Sequence, residues 1–109
     1  MEGSLKGQVV IVPFPFSDLS GSKRRPALVI ADWGGADVVL CQITSKAKFD
    51  GKEVPLSAAD FTKGGLPVAS NIRPNKLFTA DKATLLGAAG TISEARYQEV
   101  VRSIVALIS

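Results

Sequence analysis

SEARYQEVVRSIVAL, from Ser93 to Leu107, is the one long stretch with helical periodicity, and the fold is decided by what that helix needs. The Ser93 hydroxyl can cap the first turn, and Glu94 sits where the helix dipole is positive. Tyr97, Val100, Val101, Ile104 and Ile108 recur at helical spacing on one face, opposite Arg96, Glu99, Arg102 and Ser103. A single apolar stripe of this kind packs on a sheet. The segments before it read as short strands, so the expected fold is α+β and mainly β. It is a small twisted sheet or partly open barrel with a C-terminal amphipathic helix, not a βαβ fold.

Upstream, Gln8 to Val12 is a compact β-branched run. Pro13-Phe14-Pro15-Phe16 follows, where two of four residues lack an N–H, and the chain is expected to leave the sheet there. Ser17 to Arg24 reads as a loop whose only acid is Asp18. Ala27 to Ala31 and Asp37 to Thr44 read as an antiparallel pair joined at Asp32-Trp33-Gly34-Gly35, with Trp33 at the tip or packed across it. Val54-Pro55-Leu56 can form only a short edge strand, and Ser57 to Phe61 a brief helical turn ended by Gly64-Gly65. Further strands are expected around Val68 to Arg73, Lys76 to Thr79 and Leu85 to Ala88, with Gly87 and Gly90 marking a bulge or bend.

A chain of 109 residues holds one core, so residues 1–109 are expected to form one domain. Apolar residues make up 46% and charged residues 21%, more apolar surface than one small core hides, which predicts a homodimer. No stretch approaches the ~18 apolar residues of a spanning helix, and MEGSLKGQ has no signal-peptide core, so a cytoplasmic protein is expected. Histidine is absent, which excludes an imidazole base, a histidine metal site and a Ser-His-Asp triad. The lone Cys41 lies in the run Val38 to Ile43 and reads as a buried hydrophobe. The net charge of +3 suits an acidic partner.

SGSKRRPALVI, Ser20 to Ile30, joins a cationic loop to a buried strand. Its first half supplies hydroxyls, backbone N–H groups and three cations, a set that suits phosphate oxygens. Pro26 biases Arg25 toward an extended conformation and so partly preorganises its guanidinium. Three polar segments border apolar strands: Ser17 to Arg25, Thr44 to Lys48, and Ser70 to Arg73. Brought to one end of the sheet, they would offer Arg25, Thr44, Ser45, Lys46, Ser70, Asn71 and Arg73, rich in donors and poor in acids, the lining a polyanion needs. The competing reading is that small sheets simply expose polar loops, with Arg25 covering a sheet edge and Thr44 chosen for its branched side chain. Phe14 and Phe16 could stack on bases or form a structural corner.

The run Gly7-Gln8-Val9-Val10-Ile11-Val12, the polar loop, and Arg25-Pro26-Ala27-Leu28-Val29-Ile30 resemble the opening of MazF/PemK-type toxins, the ribonuclease partners of toxin-antitoxin pairs. Gln42-Ile43-Thr44-Ser45 is similar to that family's strand ending in threonine, Asn71-Ile72-Arg73 to its later Gln-Ile-Arg-like segment, and the final helix ends likewise in an apolar Leu-Ile. The resemblance implies a compact SH3-like barrel with a terminal helix, usually homodimeric. It implies an enzyme that cuts single-stranded RNA at short sequences with neither metal nor cofactor, and a cognate antitoxin that neutralises it. Arg25 and Thr44 fall on positions the family uses at its cleavage site, with Ser20, Ser22, Lys23, Arg24, Ser45, Lys46, Ser70, Asn71 and Arg73 as the expected RNA contacts. Many members carry a Glu in the first loop and an acid before the Gln-Ile segment; this chain has Ser22 or Lys23 near the first position and Ser70 at the second. Asp18 is then the candidate base, although an aspartate with pKa around 3.9 needs a site that raises it. The rival readings are a non-catalytic barrel toxin resembling CcdB, which binds DNA gyrase through its terminal helix, and a nucleic-acid-binding barrel without turnover.

Overall fold

The computed structural model describes residues 4–14, 23–45 and 51–109. Among the described residues seven strands, β1 (Gln8–Phe14), β2 (Lys23–Ala31), β3 (Asp37–Thr44), β4 (Val54–Leu56), β5 (Phe61–Gly64), β6 (Ser70–Asp81) and β7 (Gly87–Ile92), precede one α-helix, α1 (Glu94–Ile108). They form one antiparallel sheet in the order β4-β6-β3-β2-β1-β7-β5. The sheet curls into a small, SH3-like, partly open barrel, as expected from strands with a single helical stripe behind them.

Alternation along the central strands separates two cores. Val9, Leu28, Cys41, Ile43 and Ile72 face α1 and pack with its Tyr97 and Val100. Their neighbours Val10, Val12, Ala27, Val29, Val38 and Leu40 form a second cluster with Leu5, Phe78, Ala80 and Leu85 packed against it. Tyr97 completes the helix docking by donating its hydroxyl to the Ile30 carbonyl at 2.7 Å, beneath the Lys6 ammonium 5.8 Å from the ring centre. Ser93 caps α1 by accepting from the Arg96 N–H at 3.2 Å, while Arg96 reaches Asp60 at 3.1 Å and Glu99 at 2.6 Å. The apolar stripe outruns the sheet: Val101 and Ile104 are partly buried, but Ile108 is 77% exposed.

Several expected boundaries move for identifiable reasons. β1 does not leave the sheet at Pro13 but pairs with β2 through Pro13↔Arg24 and Phe14↔Lys23. Its other neighbour, β7, pairs only with Gln8 to Ile11, so from Val12 onward β1 has a bare edge where the missing proline N–H leaves no bond unmade. The two strands expected around Arg73 and Thr79 are one long β6, bent by a bulge instead of broken. Leu85 does not begin a strand; a 3-10 turn at Lys82–Thr84 precedes it and β7 starts at Gly87. The helical turn expected over Ser57 to Phe61 is a 3-10 turn at Ala58–Asp60, followed by β5, a strand hidden from the sequence by Gly64-Gly65. β5 can approach β7 because both carry glycine where they meet. A methyl group on Gly64 would run into the Ala89 carbonyl, and one on Gly90 into that of Lys63.

Asp32, at the exit of β2, ties three segments together. Its carboxylate meets the Lys82 ammonium at 2.9 Å and accepts the Leu5 N–H at 2.8 Å and the Gly34 N–H at 3.0 Å. Led by the Lys82 bond and helped by the two backbone N–H groups, these contacts lower its pKa from 3.8 to about 2. A folded-state pKa below the unfolded one stabilises the fold above the unfolded value and is lost as pH falls through the folded one. Asp32→Asn should therefore lower the urea midpoint at pH 7, and the gap from wild type should close between about pH 4 and pH 2; a gap unchanged across that window would exclude the linkage.

Candidate nucleic-acid interface

The start of β2, the end of β3 and the start of β6 meet at one end of the sheet. Arg25 lies opposite Val12 of β1, whose side chain is buried in the second cluster. Ala27 pairs with Gln42, so Arg25 and Thr44, each two residues beyond that pair, share its face and its end. Thr44 in turn pairs with Asn71, and Asn71 with Pro55 of β4. The helix-side burial of Ile43 and Ile72 places Thr44 and Asn71 on the opposite face. One row thus crosses four strands, Arg25, Thr44, Asn71 and Pro55, at the rim of an apolar floor.

Thr44 is buried, whereas Arg25 and Asn71 are half-buried and make no side-chain hydrogen bond or ion pair among the described residues. A half-buried guanidinium left in this state keeps all its donors for a ligand. Prolines stiffen the same end: Pro13 in β1, Pro26 in β2, Pro55 in β4 and the buried Pro74 in β6. Each also restrains the residue before it, Arg25 and Arg73 among them. The segments 23–25, 42–45 and 70–76 contain three arginines and two lysines and no acid.

Other expected site residues are distributed unevenly around this row. Arg24 and Ser45 are exposed beside it, and half-buried Arg73 follows Ile72 into the β6 bulge. Ser70 is on the other side: it pairs with Leu56 of the helix-side core, is 6% exposed, and spends its hydroxyl on the Val68 carbonyl at 3.1 Å. Asp18, Ser20, Ser22 and Lys46, and the side chain of Lys23, lie outside the described residues. Gln42 belongs to the group but was not singled out from the sequence. The available signal was one amide within the otherwise apolar run Val38 to Ile43. Among the described residues no cluster of three metal-ligating side chains occurs, and no helix is long and apolar enough to cross a membrane. A groove between β4 and α1, lined in part by Lys52, Glu53, Glu99 and Ser103, mixes both charges and suits a polyanion less well than the Arg25 row.

A small antiparallel barrel with a terminal helix and, among the described residues, a cationic row at one end of the sheet defines a class of compact β proteins. Within that class, residues 5–108 match the model of the PemK-like, MazF-like toxins of type II toxin-antitoxin systems, and the chain belongs to this family. Its fold is similar to that of MazE-MazF from Deinococcus radiodurans (TM-score 0.77, 23% identity, covering 96% of this chain and 95% of that one). It is also similar to a mycobacterial endoribonuclease in complex with its cognate antitoxin (TM-score 0.76, 18% identity, 95% and 93% covered). The Mycobacterium tuberculosis toxin MazF-mt6 is a further likeness (TM-score 0.69, 17% identity, 91% and 93% covered). No curated protein sequence matches the chain.

Cys41 sits behind the row, fully buried, donating its thiol to the Arg73 carbonyl at 2.8 Å. Burial pushes the thiol up to about 12, against a smaller lowering by that backbone contact. A neutral thiol under a core is inert. Native protein at pH 8 should react with a thiol reagent only at the rate of global unfolding and rapidly in urea; fast native labelling would show that Cys41 is accessible.

Proposed function

We propose that this toxin is a sequence-specific endoribonuclease of single-stranded RNA, built as a single domain over residues 1–109 and acting in the cytoplasm. The observation that carries the reading is the row in which half-buried Arg25 and Asn71, neither with a side-chain partner among the described residues, stand beside buried Thr44. Family membership and the endoribonuclease among the structural likenesses support it.

In this reaction the ribose 2′-oxygen attacks its neighbouring phosphorus as the bond to the 5′-oxygen of the next nucleotide breaks. The products are a 2′,3′-cyclic phosphate and a 5′-hydroxyl, so DNA is inert to this route. Arg25 stabilises the charge that builds on the equatorial oxygens, and Thr44 orients one of them. Asp18 is the candidate to take the 2′-hydroxyl proton. Arg24, Ser45, Asn71 and Arg73, with Ser20, Ser22, Lys23 and Lys46 of the flanking segments, hold the strand. No step calls for a metal ion. The apolar helix end, Val105, Leu107 and Ile108, is exposed and supplies surface for a homodimer. The cognate antitoxin fits as an acidic segment laid across the same cations; one of the fold relatives is an endoribonuclease in complex with its cognate antitoxin and another is MazE-MazF.

Wild type, incubated in EDTA with a long single-stranded RNA, should cut at a repeated short motif and leave 5′-hydroxyl ends, and Arg25→Ala should slow cleavage by about 10²-fold or more while unfolding at the same temperature. A folded wild type that leaves RNA intact, or an equally fast Arg25→Ala, would overturn the reading.

A further inference from the structure

We infer that Gln42 reads an adenine base next to the scissile phosphate, an inference that rests on the ribonuclease reading above. Cys41 and Ile43, its two neighbours, are both buried in the helix-side core, so strand alternation turns the Gln42 side chain to the face of Arg25 and Thr44. Across β2 it pairs with Ala27, whose methyl leaves the amide room to lie over the floor. Across β6 the ladder is interrupted at this residue: Cys41 pairs with Leu77 but Ile43 with Ile72, and the bulge between them runs over Arg73 to Lys76. Bulges of this kind re-aim side chains and open a sheet where a ligand must enter.

Gln42 is half-buried, and its amide makes no hydrogen bond among the described residues. An amide so placed loses part of its hydration and regains it only when a ligand offers both an acceptor and a donor. Phosphate oxygens are acceptors only and would leave the amide oxygen unmatched. A base edge with a donor beside an acceptor satisfies both ends. Adenine presents that pair on both of its edges, N6–H with N7 and N6–H with N1. Guanine, cytosine and uracil present it on the Watson–Crick edge alone, and the N7 and O6 of guanine are both acceptors, so an amide has two ways to meet adenine and one to meet each other base. Gln42 and Thr44 are two residues apart on one strand, about 6.6 Å along it, so an amide at one and a phosphate at the other can be served by adjacent parts of one nucleotide step.

The test is to map 5′-hydroxyl ends on a randomised single-stranded RNA with wild type, Gln42→Leu and Gln42→Met. These replacements keep the volume without the amide, and thermal unfolding checks that both fold. Wild type should show adenine enriched at one position flanking the cut. Both variants should still cleave, with that enrichment falling about tenfold and preferences elsewhere unchanged. If wild type cleaves without adenine enrichment beside the cut, or the variants retain it, the assignment of Gln42 is wrong while the ribonuclease reading stands. If wild type cuts no RNA, both fall together, and the Arg25→Ala comparison identifies that case.

Discussion

Burial of β3 on both faces is the constraint from which the rest of the structure follows. Val38 and Leu40 fill one cluster, and Cys41 and Ile43 fill the other. A strand with only one buried face can lose its register by exchanging core for solvent. Here a one-residue slip would put Gln42 and Thr44 where Cys41 and Ile43 are buried, and Val39 and Cys41 where Val38 and Leu40 are. The register of β3 against β2 and β6 is therefore held from both sides, and so is the position of Thr44 relative to Arg25 and Asn71. Arg25 and Asn71 inherit their placement from core packing, which is why they can stand without side-chain partners among the described residues.

Prolines extend this rigidity to the end of the sheet that would otherwise fray. Strand ends are ordinarily the mobile part of a sheet, since their last ladder bonds face water. Four of the strands at this end carry a proline, and each sits where the ladder has no need of its N–H: beyond the β7 pairing for Pro13, before the β3 pairing for Pro26, on the short edge strand for Pro55, and within the bulge for Pro74. Fixing φ at these points removes unfolded-state freedom without breaking a hydrogen bond. A ligand that meets preordered side chains loses less entropy on binding.

The overall architecture was legible because one helical stripe and several β-branched runs leave few ways to bury apolar surface. The Ser93 cap and the β2–β3 hairpin follow from local chemistry, whereas the meeting of the start of β2, the end of β3 and the start of β6 rests on strand pairing and stood in the sequence as one of two readings. What was not legible depends on partners distant in sequence. Pro13 reads as a strand breaker until β7 is seen to stop at Ile11, and β5 reads as loop because Gly64 serves contact with Gly90, 26 residues away. Ser70 looks like Asn71 in sequence, yet pairing with Leu56 turns it to the core. Gln42 is hidden for the converse reason: inside a buried run it resembles an exception to be tolerated, and only the pairing shows that it stands on the face of Arg25 and Thr44 beside the β6 bulge.

With no histidine in the chain and Asp18 the only acid of its loop, the proposed chemistry places unusual weight on electrostatics. General acid–base catalysis by a well-tuned group contributes about 10²–10⁴-fold. Asp18 is the candidate base of the proposed reaction, and charge stabilisation by Arg25 and its cationic neighbours would act beside it. An acidic chain that occupied the arginines would then remove the attraction for RNA and the stabilisation of the phosphorane together, and the same contacts would make its binding sensitive to salt.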